Sequence, residues 1–306
     1  MKNKITGFYA PLREIMMIMV LLLLVTTVGF SQEEMKKEKF VPSDHLKQIT
    51  GLTESYGMTP RLKRVHKLSK MLSEDEISYL WDFLNKKHTD DPLDESALNP
   101  IKNDVAVALL EQEVVIEEFG AKMMAMFSAK DNDGAFRHDM VWRDYCIQFL
   151  GQWYGVCFDE SEKVKVLEFI YSSIDSHKGT SIPGSALIAV NLNAERLNAV
   201  QRLKLGKKAL EVSEKPVYGN LARMSAFHIA AAHCRSSKEL RKKLLKALKE
   251  SVVKGSSTCV RMAALAAIGT LGVVDEEVKK LIDNYCRSYD IRLRKAAYGA
   301  RKKLNI

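Results

Sequence analysis

The feature that most narrows what this chain can become is a small side chain that returns at a nearly fixed interval. Ala106, Cys146, Ala186, Ala226, Ala264 and Ala297 stand 40, 40, 40, 38 and 33 residues apart. Each lies within a short stretch of helical apolar spacing, and a second helical stretch follows. A period of about 40 residues made of two helices is the pattern of a stacked array in which no repeat buries its apolar face alone. Slim residues recur because helices of neighbouring repeats approach closely only where the facing side chains are small. The expected fold is all-α: a right-handed α-solenoid of about five to six helix pairs over 101–306, behind a small helical N-terminal region.

The helices fall into two sets. An Ala-rich set is expected at 101–112, 139–155, 182–192, 217–233, 257–270 and 290–304. A longer-chained, more polar set is expected at 116–129, 159–176, 194–212, 236–253 and 275–288. Start signals mark the second set: Asp159 with Glu162 as a capping box, Asn193 before Ala194 and Glu195, Ser236 and Ser237, and the acidic run Asp275, Glu276, Glu277. Gly155, Gly255 and Gly272 follow apolar periodic runs and read as stops. Upstream, Ser43 and Asp44 open a short helix, Pro60 and Arg61 open another running to about Met71, and Ser73 with Glu76 caps a third. Residues 88–100, rich in Asp and Pro, read as a linker or long loop.

The run Val260, Arg261, Met262, Ala263, Ala264 resembles the first helix of a HEAT repeat. So do Ala222 to Ala226 around Arg223, and Leu293 to Ala297 around Arg294, with Arg143 three before Cys146. In that family an Arg follows an apolar residue and stands three before the small packing residue. The likeness is good over 217–304 and weaker over 101–200, where Pro183 replaces the Arg; residues 32–100 are not covered by it. The resemblance implies a fold and no reaction, and it implies that the second helices line a concave surface.

Residues 1–31 have the layout of a secretory signal peptide: Lys2, Lys4 and Arg13 ahead of a 16-residue apolar run, then Gly29 and Ser31 at a cleavage site. An uncleaved anchor is the alternative, and both place the remainder outside the cytoplasm. A charged lead-in from Gln32 to about Pro42 follows. Residues 201–306 hold 24 Lys and Arg against 9 Asp and Glu, whereas 32–200 hold 20 against 28. That polarity favours an anionic partner at the C-terminal end. Five cysteines, an odd number, spaced as neither a disulfide framework nor a metal clip, read as mostly buried filler.

Local chemistry is sparse. His228 and His233 are five apart and fall on different helix faces, so they make a poor metal pair. The run Asp131, Asn132, Asp133, Gly134 puts Ala129 and Met140 at the ends of a calcium-loop register, where neither can coordinate, so a turn fits better. No phosphate loop, nucleophile elbow or HExxH stretch is present, and no cofactor is implied. The aromatic group Trp142, Tyr145, Phe149, Trp153 and Tyr154 reads as core.

The strongest lead is basic. Lys238, Lys242, Lys246 and Lys249 form one stripe opposite Leu240, Leu244, Leu245, Leu248 and Val252. Arg202, Lys204, Lys207 and Lys208 lie on the preceding second-set helix, and the HEAT resemblance would gather both groups in one groove. An ordinary solvated face is the plain alternative. The expectation is a non-enzymatic exported scaffold binding a protein or other anionic envelope component. A nucleic-acid-backbone binder or repair enzyme is the runner-up, disfavoured by the export signal. A HEAT-like lyase is the third reading, and no motif supports it.

Overall fold

All regular structure among the described residues is helical, apart from one isolated bridge between Lys130 and Phe136. The computed structural model describes residues 40–52, 57–254 and 257–306. The chain divides after Pro42; of the leading unit only 40–42 are described, and they carry no regular structure. The leader over 1–31, nearly all of the lead-in and Gly255 lie outside the described residues.

The described residues of 43–306 carry fourteen α-helices. They begin with α1 (Asp44–Thr50), α2 (Met58–Val65), α3 (Glu74–Asn85) and α4 (Glu95–Leu110). Next come α5 (Phe119–Ser128), α6 (Met140–Val156), α7 (Glu160–Ser176), α8 (Ile182–Asn191) and α9 (Ala199–Glu214). After a 3-10 turn (Pro216–Tyr218) follow α10 (Gly219–His233), α11 (Lys238–Lys254), α12 (Thr258–Leu271), α13 (Glu276–Cys286) and α14 (Ile291–Leu304).

Side-chain caps start most of them, as orphan N–H groups at a helix start require. Ser43, Ser73, Asp94, Asp139, Asp159, Asn198, Ser257, Asp275 and Asp290 each accept from a backbone N–H in the first turn. The local differences from expectation have visible causes. Asp94 caps α4, so the 88–100 loop ends early and Pro100 lies inside the helix. Asn198, boxed with Gln201, starts α9; Asn193 instead sits in the preceding turn, its carbonyl accepting from Arg196 N (2.9 Å) and Leu197 N (3.1 Å) and its side-chain amide donating to Gly151 O (2.7 Å) and Ala189 O (3.3 Å). Helix α6 continues through Gly155 to Val156. Helix α2 stops at Val65 rather than near Met71, and Gly272 closes α12 in the left-handed conformation, φ 73°.

Packing follows a simple order. Helix α2 lies against α4, and α4, α6, α8, α10, α12 and α14 each pack on the next in that sequence. The intervening α3, α5, α7, α9, α11 and α13 each pack on the helix that follows. The six small residues Ala106, Cys146, Ala186, Ala226, Ala264 and Ala297 are all fully buried, at 0% exposure. Contact between backbones is closest at two glycines. A Cβ on Gly151 of α6 would meet Ala189 Cα of α8 at 2.7 Å, and one on Gly269 of α12 would meet Ala300 Cα of α14 at 2.8 Å. Dispersion attraction falls off within about an ångström, so this proximity is what small residues supply.

A second device recurs at the Arg position. Arg143, Arg223 and Arg261 each donate Nε to a carbonyl in the last turn of the preceding helix: Phe127 O (2.9 Å), Ser213 O (3.0 Å) and Val252 O (2.9 Å). Each guanidinium thereby closes a helix C-terminus that would otherwise leave carbonyls unpaired. Arg61 on α2 makes the same bond to Ile49 O of α1 (2.8 Å), although its stretch has no small residue in register. Around Phe119 the aromatic group is core: Trp81 at 5.3 Å and Phe149 at 6.2 Å meet it edge-on, and Trp153 stacks on it at 5.6 Å. Trp142, Phe149, Trp153 and Tyr154 are buried and Tyr145 half-buried.

Candidate functional site

Helices α9 and α11 are neighbours, so the two expected basic groups do lie on adjacent elements. The apolar face of α9 (Leu205, Ala209, Leu210, Val212) and that of α11 (Leu244, Leu245, Leu248, Val252) are buried, which turns the charges outward. Arg202, Lys204, Lys207, Lys238, Lys242 and Lys246 are exposed, while Lys208 and Lys249 are half-buried.

The eight residues do not form one continuous basic surface. Lys208 Nζ lies 2.9 Å from both carboxylate oxygens of Asp175 on α7 and 2.9 Å from Glu211 Oε2. Burial alone would lower its pKa, yet these carboxylates hold it above the ordinary lysine value. Glu211 is correspondingly pulled down to about 2, by its hydrogen bond from Lys215 and then by Lys208. Lys249 is tied in the same way, to Asp275 (3.0 and 3.2 Å) and Glu277 (2.7 Å) at the start of α13. Burial works to lower its pKa as well, and the two carboxylates raise it. Lys204 sits over the Tyr171 ring, 4.5 Å from its centroid, a cation–π contact. Among the described residues Arg202, Lys207, Lys238, Lys242 and Lys246 have no recorded ion pair.

Two hollows flank α9. The smaller, about 410 Å³, lies between α7 and α9 and contains Lys204, Lys207 and Lys208 with Asp175, Glu211 and Tyr171. Burial raises the Tyr171 phenol to about 12. The larger, about 690 Å³, lies between the end of α9, the first turns of α10, and α11. Of the eight expected residues only Lys246 lines it; Arg223, Lys243 and Lys254 join it there, with Glu214 and Glu250. Sequence reasoning passed over these. A signal existed: Lys243, Lys246, Glu250 and Lys254 follow one another at spacings of three and four, a stripe turned toward α9. Lys249 belongs to the other flank of the helix, toward α13.

Elsewhere the motifs have structural roles. Asp131 closes the turn by accepting from Lys87 (3.0 Å) and Arg137 (3.3 Å), with Gly134 at φ 81°. His233 Nε2 bonds Asn191 Oδ1 at 2.8 Å, and His228 is exposed. Among the described residues no cluster of His, Cys, Asp and Glu is arranged to hold a metal ion. All five cysteines are free; only Cys259 is exposed. No described helix is long and apolar enough to cross a membrane. No family model matches this sequence, and no curated protein matches it. The HEAT resemblance therefore rests on the residues themselves.

Proposed function

We propose that residues 43–306 form a right-handed α-solenoid of HEAT-like helix pairs that serves as a non-enzymatic binding scaffold. Two observations support the solenoid reading. The even-numbered helices α2 to α14 pack one on the next in chain order, and the Arg-to-carbonyl bond recurs from α1–α2 to α11–α12. The bond at Arg61 extends the array to Ser43, giving seven consecutive helix pairs rather than five or six.

The bound partner, in this reading, is an acidic protein, and the binding face is the solvent side of α9 and α11. The single observation behind it is the set of exposed cations on two adjacent helices, Arg202, Lys207, Lys238, Lys242 and Lys246, none of which has an ion pair among the described residues. Unpaired like charges cost little in water and attract an anionic surface, raising the association rate more than the affinity. Export from the cytoplasm, as residues 1–31 suggest, is part of the proposal and fits an envelope partner.

The test is charge reversal in the full-length chain at Lys207, Lys238 and Lys242, all exposed and outside the ion-pair ties. Lys249 is left alone, because its loss would unpair Asp275 and Glu277 and probe folding instead. Binding of poly-L-glutamate at low ionic strength, followed by fluorescence anisotropy, should weaken by at least ~100-fold in the triple variant, on the order of 1 kcal/mol per reversed charge. Unchanged binding with intact helicity would dismiss the face. Duplex DNA is the control ligand: tighter binding to DNA with a steep salt slope would replace the acidic protein by a nucleic-acid backbone.

A further inference from the structure

The four arginines that brace the helix ends differ in what receives the rest of the guanidinium. Arg61 Nη1 sits 2.9 Å from both oxygens of Asp91. Arg143 Nη2 donates to His177 Nε2 at 2.6 Å, and its guanidinium carbon lies 3.4 Å from the Phe136 ring centroid. Arg261 Nη2 donates to Tyr285 Oη at 2.6 Å. Arg223 makes the longest of these bonds. Its Nη2 reaches only the Ser251 hydroxyl, at 3.3 Å, and among the described residues Nη1 has no recorded acceptor.

That under-satisfied guanidinium lines the 690 Å³ hollow, together with Lys243, Lys246 and Lys254. Lys243 is neutralised by Glu214 at 3.1 Å. What remains is Arg223, Lys246 and Lys254 against the single carboxylate of Glu250, an excess of two positive charges. Ser251, also at the wall, adds a hydroxyl that can donate, while that of Ser213 is spent on Leu210 O at 2.7 Å. Burial lowers the Arg223 pKa with no carboxylate to offset it, so its charge is desolvated and uncompensated. A fixed, partly dehydrated guanidinium between mobile ammonium groups is the arrangement that takes an oxyanion: the guanidinium gives direction, and the lysines add point charge.

We infer that this hollow between α9, α10 and α11 is a binding site for a tetrahedral dianion of the phosphate or sulfate class. The charge excess selects a dianion over a single carboxylate. Its residues are distinct from the outward face assigned above except at Lys246, so the two can fail separately.

Inorganic phosphate is titrated into the full-length chain and followed by isothermal calorimetry, with chloride holding ionic strength constant. Saturable binding near millimolar affinity is expected. Lys246→Gln with Lys254→Gln, both at exposed positions, should weaken it by at least ~tenfold, two charges at near-surface strength. Lys207→Gln with Lys242→Gln, outside the hollow, should leave it unchanged while reducing poly-L-glutamate capture. Arg223→Lys, retaining the charge but not the fork, should also weaken phosphate, checked for intact helicity by circular dichroism. A small phosphomonoester binding more tightly than inorganic phosphate would mark an organic phosphate as the ligand, and equal binding would mark the free anion; each supports the site. Phosphate that fails to saturate, or binds the Lys246/Lys254 variant as well as the parent, overturns it.

Discussion

His138 should make this protein lose stability in mild acid well before its carboxylates titrate. The side chain is 2% exposed, and neither ring nitrogen has a hydrogen-bond partner. It lies just before α6, close to the fully buried Lys102, whose Nζ reaches Glu95 at 3.0 Å. Burial first, then the positive charges of Lys102, Arg137 and His88, hold its pKa at about 3; Asp131 opposes them weakly. An unfolded histidine titrates near 6.5. The folded value is the lower one, so the unfolded chain binds the proton more readily. Stability is untouched above pH 6.5 and falls as the pH drops from 6.5 toward 3. At about 1.4 kcal/mol per pH unit, the loss from this residue is about 2 kcal/mol at pH 5 and about 5 kcal/mol at its limit.

Urea unfolding of the parent and of His138→Leu, each at pH 7 and pH 5, isolates that share. His88, His177 and His233 also have lowered pKa values, chiefly from burial, and they remain in both proteins. The parent should therefore lose about 2 kcal/mol more than the variant between the two pH values. At pH 7 the leucine should be neutral or mildly stabilising, since it removes two orphaned buried nitrogens. Equal pH dependence in parent and variant would refute the buried neutral imidazole.

Two further predictions concern folding alone. Asp91→Ala strips the carboxylate from Arg61, whose side chain is 0% exposed, and should cost about 3–5 kcal/mol in chemical denaturation; Asp90→Ala, exposed next door, should fall within about 0.5 kcal/mol of the parent. Two glycines inside α12 and α14 should respond oppositely to alanine. At Gly269 the new Cβ meets Ala300 Cα at 2.8 Å, whereas at Gly299 nothing lies within 4 Å. Gly269→Ala should destabilise by about 1–3 kcal/mol through overpacking, and Gly299→Ala should stabilise by about 0.5–1 kcal/mol through helix propensity; melting temperatures moving in the same direction would contradict the close backbone contact.

What was legible in the sequence was what repeats, and what escaped it was what pairs across distance. The small residues could be read because a close helix contact demands the same side-chain size each time, and all six lie buried in the structure. Arg61 was legible only as a helix opener, because Arg64 stands three residues on, where the array has a small residue; its bond to Ile49 O reveals the shared device. Asn193 was expected to start a helix, and the helix starts at Asn198 instead. The Asn193 side chain is tied to Gly151 O, 42 residues away in the chain, a contact that local pattern does not show. The lysines show the same limit. Their spacing gave the exposed side of α11 correctly, since helical period decides that. It could not show that Lys249 is held by Asp275, 26 residues on, or Lys208 by Asp175, 33 residues back. Nor could it show that the Arg223 fork, beyond its bond to Ser213 O, reaches only the Ser251 hydroxyl at 3.3 Å. A charge stripe therefore says where cations are displayed, while their freedom to bind depends on carboxylates that neighbouring helices bring up. The outward side of α9 and α11 and the hollow lined by Arg223 are two places where neighbouring carboxylates leave cations unpaired among the described residues.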